Sequence, residues 1–184
     1  MTALNSLLRR KLTRRFELLD VDGDGFAGES GYLGTVAAIH GATGTAAASA
    51  QGQALREALL GWWRRLRSAA DTDGDGRVGL REYEAALESR VVQRQNVCPE
   101  HGRPKIEAVV AVADRDGDGR LTEAEFVTVM TACRVGDPDA RWQFRRMDTD
   151  GDRRISLAGF DHAMEDFHTS ADEALVGTTM WGRL

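Results

Sequence analysis

The feature that most constrains this chain is a twelve-residue string that recurs four times. The segments DVDGDGFAGESG, DTDGDGRVGLRE, DRDGDGRLTEAE and DTDGDRRISLAG start at Asp20, Asp71, Asp114 and Asp148. A repeat on this scale is one supersecondary unit used several times, and no single unit can bury its apolar face alone. Each string follows an apolar pattern of helical period. Leu4, Leu7, Leu8, Leu12, Phe16 and Leu19 lead into the first, and Leu55, Leu59, Trp62, Trp63 and Leu66 into the second. Ile106, Val109, Val110 and Ala113 lead into the third, Phe144 and Met147 into the fourth. An aromatic residue closes each unit: Tyr32, Tyr83, Phe126 and Phe160. The expected fold is therefore all-α, with four helix–loop–helix units in two pairs packed into a compact domain, a size that 184 residues can support.

The expected divisions are residues 1–94 for the first pair, 95–103 for a connector, 104–168 for the second pair, and 169–184 for a short helix with an apolar tail. Small residues over 41–52 read as a connector within the first pair. Pro104 opens one helix, and Asp137 with Pro138 opens another, the aspartate serving as cap. Ser170 with Glu173 has the spacing of a capping box for the short last helix. Met180, Trp181 and Leu184 make the tail apolar enough to insert between the two halves.

Charge is distributed to match the repeats. The four strings hold 16 of the 29 acidic residues and only 6 of the 24 basic ones, so a net charge of −5 conceals four acidic spots on a mildly basic body. That pattern points to cations and away from nucleic acid. The basic stretches Arg9, Arg10, Lys11, Arg14, Arg15 and Arg64, Arg65, Arg67 read as solvated faces balancing the acidic loops. No apolar run approaches the roughly 20 residues a membrane span needs, and the N-terminus lacks the order of a secretory signal; a cytoplasmic protein is expected. Cys98 with His101 forms half of a zinc motif without its second half. His40, His101, His162 and His168 are scattered and build no nucleophile–base pair, so no enzyme is expected.

Alternating carboxylates within one short loop suit a hard cation. Calcium takes about six to eight oxygens, and a loop that offers acids at its first, third and fifth positions converges side-chain oxygens on one point. The seventh position contributes a backbone carbonyl and the ninth a water, while a glutamate at the twelfth closes the shell with both oxygens. Glycine at the sixth allows the sharp turn.

These residues resemble the EF-hand superfamily over nearly the whole chain. The uneven spacing of loop starts, 51, 43 and 34 residues, is similar to that of the sarcoplasmic calcium-binding proteins and bacterial calerythrin, which are compact. The resemblance implies strong sites in loop two (Asp71, Asp73, Asp75, the carbonyl of Arg77, Glu82) and loop three (Asp114, Asp116, Asp118, the carbonyl of Arg120, Glu125). Thr122 would hold a water or coordinate through its hydroxyl. Loops one and four depart from the pattern. Asp20, Asp22, Asp24 and the carbonyl of Phe26 are weaker candidates, because Gly31 stands at the twelfth position and Glu29 is two residues early. Asp148, Asp150, Asp152 and the carbonyl of Arg154 are likewise weaker, with Arg153 at the turn and Gly159 at the twelfth position.

The cofactor so implied is Ca2+, with Mg2+ as a competitor. The leading expectation is a cytosolic calcium buffer or transporter; the alternative is a sensor that changes shape and regulates a partner protein. Five methionines against four tryptophans and six phenylalanines favour a filled core over an adaptable methionine-rich groove.

Overall fold

The helical patterns become helices whose ends coincide with the acidic strings. Helices α1 (Ser6–Leu19) and α2 (Glu29–Thr43) flank the first, and α3 (Ala50–Ala70) and α4 (Leu80–Val92) the second. Helices α5 (Arg103–Ala113) and α6 (Glu123–Ala132) flank the third, and α7 (Asp137–Met147) and α8 (Leu157–Thr169) the fourth. The computed structural model describes residues 6–92, 102–170 and 172–184, with residues 89–92 given by backbone alone. Leu4, Cys98, Pro99 and His101, with most of the 95–103 segment, lie outside the described residues.

The loops are tied in twos by very short strands. Strand β1 (Phe26–Ala27) pairs antiparallel with β2 (Val78–Gly79), and β3 (Arg120–Thr122) with β4 (Arg154–Ser156). The register sets Ala27 opposite Val78 and Leu121 opposite Ile155. All four are eighth residues of their loops and all are buried. Strands this short have no stability of their own; the apolar contact beneath them and the flanking helices hold them.

The aromatic residues after the loops point into the core. Phe16 meets Tyr83 at 5.7 Å between ring centroids, Tyr32 meets Trp63 at 5.4 Å, and Phe126 meets Phe144 at 5.8 Å. The two halves join where α3 packs on α5, α2 on α6 and α1 on α8. Their apolar side chains form one continuous cluster from Leu8 to Trp181.

The C-terminal segment is wedged into this junction. After α8 the chain forms a short 3-10 turn, Val176–Thr179, laid against α8 and α7. Gly177 permits the approach, because a Cβ there would stand 2.0 Å from the backbone oxygen of Ala163. Gln143 of α7 is fully buried; it donates to the Val176 carbonyl and accepts from the Thr179 hydroxyl, each at 2.8 Å. Met180 and Trp181 are buried, and the Arg15 guanidinium lies 3.9 Å from the Trp181 ring centroid. Arg14 Nε donates to the Trp181 carbonyl at 3.2 Å.

Several local expectations are corrected. The connector expected over 41–52 is shorter, residues 44–49: α2 runs to Thr43 and ends on Gly44 in the left-handed region, and Ser49 caps α3 by accepting from the Gly52 amide. Asp137 is the first residue of α7 and not its cap; Gly136 holds that position and the Asp137 carboxylate pairs with Arg141 at 2.8 Å. No capping box forms at Ser170. Its hydroxyl accepts from the Asp172 amide, and the short turn begins later, at Val176. The basic stretch on α1 is not wholly solvated, because Lys11 is fully buried. Its Nζ donates to the carbonyls of Asp166 and Ser170, each at 2.9 Å, at the C-terminal end of α8 where a cation is favoured.

Candidate metal centres

Each acidic string wraps its backbone around its own carboxylates. The first aspartate accepts from the amide of the sixth residue: Asp20 from Gly25 at 3.0 Å, Asp71 from Gly76 at 3.1 Å, Asp114 from Gly119 at 2.8 Å, and Asp148 from Arg153 at 3.2 Å. The fifth aspartate accepts from the seventh amide in all four, at 2.7 to 2.9 Å. Such a turn needs a left-handed residue at the sixth position. Gly25, Gly76 and Gly119 supply it, while Arg153 is forced to a φ of 62°.

The wrap brings carboxylates together. Oxygens of Asp20, Asp22 and Asp24 lie within 4.8 Å of one another, as do those of Asp148, Asp150 and Asp152. In loop three the converging set is Asp114, Asp116 and Asp118; in loop two it is Asp71, Asp73 and Glu82.

The two closing glutamates fold back onto their loops. Glu82 accepts from the Thr72 amide and hydroxyl and from the Gly79 amide, at 2.8 to 2.9 Å. Amides of Gly79 and Thr72 hold its carboxyl below the usual range. Glu125 accepts from the amides of Arg115 and Thr122 at 2.9 and 2.8 Å and from the Thr122 hydroxyl at 2.7 Å. Burial raises its pKa, but the Arg115 and Thr122 amides outweigh that and leave it lowered. Thr122 thus serves as the cap of α6 in a capping box with Glu125.

At the twelfth position, the two glycines differ. A Cβ at Gly31 would stand 2.6 Å from the Leu19 carbonyl oxygen, whereas one at Gly159 would meet only the Ser156 hydroxyl at 3.4 Å.

The donor set is all oxygen, which suits a hard divalent cation. Loops one and four carry an additional mark. The Oδ1 atoms of Asp20 and Asp148 are buried without a hydrogen-bond partner. A carboxylate oxygen so placed is costly, and a cation would relieve it.

Sequence reasoning passed over the side chains at the seventh position. Arg77 reaches Asp24 of loop one at 3.3 Å as well as Asp75 of its own loop at 3.5 Å. Arg120 pairs with Asp152 of loop four. Arg154 pairs with Asp116 of loop three at 3.2 Å and also with Asp118. Loop one has Phe26 there instead, under the Arg77 guanidinium at 4.0 Å. The available signal was arginine at the seventh position of three loops.

Residues 68–87 match the family model for an EF hand, and residues 104–133 match that for an EF-hand domain pair. A calcium-binding protein of Streptomyces coelicolor, of known structure, is 33% identical to this chain. It superposes with a TM-score of 0.80 over 88% of this chain and 98% of its own. The chain belongs to the EF-hand family.

Calerythrin of Saccharopolyspora erythraea is 25% identical over 159 residues, 86% of this chain and 90% of that protein. The sarcoplasmic calcium-binding protein of amphioxus shares the fold, with a TM-score of 0.77, at 21% identity over 99% of this chain and 100% of its own. Loops two and three lie inside the matched EF-hand segments; loops one and four, which lack the closing glutamate, lie outside them. Among the described residues, no helix is long and apolar enough to cross a membrane.

Proposed function

We propose that this EF-hand protein captures and releases Ca2+ as a cytosolic buffer or transporter, without catalysis. Hand two holds the ion through Asp71, Asp73, Asp75, the Arg77 carbonyl and Glu82. Hand three does so through Asp114, Asp116, Asp118, the Arg120 carbonyl and Glu125. Hands one and four bind weakly, since each lacks two carboxylate oxygens and one negative charge at the twelfth position. Mg2+ competes poorly where a loop can offer a bidentate glutamate, because it demands near-octahedral geometry and keeps its waters. The proposed units remain the first pair over 1–94, the second over 104–168 and the tail over 169–184.

The observation that carries the buffer reading is the closed apolar surface. Among the described residues, the large hydrophobic side chains left exposed are Val21 and Leu33. Met180 and Trp181 occupy the junction of the halves, where a partner helix would otherwise dock. A buffer has no need of such a dock.

A second reading, a sensor acting on a partner protein, is favoured by the Streptomyces coelicolor relative, which is described in terms of prokaryotic calcium-mediated regulation. Calorimetric calcium titration beside a fluorescent probe for apolar surface separates the two. Two tight sites with an unchanged probe signal support the buffer. A calcium-dependent rise in probe signal supports the sensor, and no heat of binding sinks both.

A further inference from the structure

Hands two and three carry the same acids at the same positions: aspartate at the first, third and fifth, glutamate at the twelfth. By the count of these carboxylates they are equal, the ninth residue being Gly79 in loop two and Thr122 in loop three. Their surroundings are not. The register of β3 with β4 sets Arg154 opposite Thr122, which swings its guanidinium over loop three. There it pairs with two expected ligands of the partner hand, Asp116 at 3.2 Å and Asp118. The corresponding position facing loop two is Phe26, which brings no charge. Loop two's own arginines are placed differently. Both come from its own hand: Arg67, on α3, stands 3.9 Å from Asp71, and Arg77 stands 3.5 Å from Asp75 while also reaching Asp24 of loop one at 3.3 Å.

We propose that Arg154 is an exchangeable internal counter-cation that sets the calcium affinity of hand three below that of hand two. An ion entering loop three must take Asp116 and Asp118 from a guanidinium that already neutralises them. Afterwards, that guanidinium remains nearby as a positive charge facing a divalent one. Entry into loop two meets no such competitor from its partner loop. The same exchange links the two hands of the second pair. Arg154 follows Asp152 in loop four, and Arg120 of loop three reaches back to Asp152, so filling one loop rearranges the counter-charge of the other. In the metal-free protein these arginines also offset repulsion between the paired acidic loops. Hand two therefore fills first, in spite of the same four carboxylates.

This inference rests on the assignment of calcium to hands two and three, and the test keeps the two apart. Glu82→Gln in the full chain disables hand two and isolates hand three; Glu125→Gln does the converse. Calorimetric calcium titration of each is compared with the same protein also carrying Arg154→Gln, which removes the charge and leaves the backbone carbonyl in place. The expected result is binding about threefold to tenfold tighter in the hand-three background and a change of less than about twofold in the hand-two background. Arg154→Ala should give the same direction. The melting temperature of the metal-free protein should fall in both variants, a readout independent of loading. Hand-three affinity that is unchanged or weaker without the arginine overturns the inference, as does equal tightening of both hands. Absence of calcium binding in the parent chain overturns the functional reading itself.

Discussion

Gly31 lies so close to Leu19 that a Cβ on the glycine would stand 2.6 Å from the leucine's backbone oxygen. The missing glutamate of hand one is thus also a packing requirement, because α2 leaves the loop directly against the end of α1. Gly159, at the same position of hand four, has only the Ser156 hydroxyl near it, at 3.4 Å. The two substitutions should therefore differ. Gly159→Glu should add a calcium site in titration calorimetry, and its glutamate completes a capping box with Ser156, the cap of α8. Gly31→Glu should add no site and should destabilise the fold by about 1–3 kcal/mol in denaturant unfolding.

Arg153 occupies a left-handed backbone, φ 62°, where the other hands have glycine. That conformation costs a side-chain-bearing residue roughly 1–2 kcal/mol, offset in part by the greater freedom glycine restores to the unfolded chain. Arg153→Gly should raise stability by about 0.5–1 kcal/mol, read from the unfolding midpoint of the metal-free protein.

Acid should unfold the protein partly through His168. Its ring is buried, with Nδ1 at 2.7 Å from the Met164 carbonyl, and burial pushes its pKa down to about 3. The folded value lies below the unfolded one near 6.5, so below that pH the unfolded chain takes up a proton that the native protein refuses. Stability should fall between pH 6.5 and 3 by up to about 1.4 kcal/mol per pH unit from this group. Urea titrations at a series of pH values should show that slope, and His168→Gln should flatten it. Lys11 works in the other range. Burial lowers its pKa to about 8, with Asp166 opposing, so its contribution should improve as pH rises from 8 to the unfolded value near 10.4.

The tail is integral to the core. Trp181 is buried under Arg15, and removing such a side chain typically costs about 3–5 kcal/mol. Trp181→Ala should lower the melting temperature. Deletion of residues 178–184 should do so more strongly and raise the binding of a probe for apolar surface. An unchanged probe signal would mean that the tail covers nothing.

Calcium should stabilise the fold by mass action. At a free concentration one hundred times the dissociation constant, each filled site adds about 2.7 kcal/mol. Scanning calorimetry with and without a chelator should show the shift. The repulsion expected between bare acidic loops is moderated by Arg77, Arg120 and Arg154, so chelation should lower the melting point while leaving a folded protein.

The carboxylate pattern was legible because each loop is built from residues within twelve of one another, with its amides and acids fixed by local turns. Helices α1, α3, α5 and α7 were legible from their apolar period and, for α5 and α7, from the prolines at Pro104 and Pro138 that open them. The Ser170 capping box was misread because Gly177 and Gln143 draw the following residues onto α8 and α7 before a helix can start there. Local propensity yielded to packing.

By itself the sequence determined the four hands, their helices and the acids each loop brings together. Only tertiary structure decided what those loops face. Arg154 meets Asp116, Arg77 meets Asp24, Lys11 caps α8 from 155 residues away, and Gly31 abuts Leu19. These contacts depend on strand register and helix packing. Neither is encoded in any short window of the chain, because both emerge only when separate apolar faces close on one another.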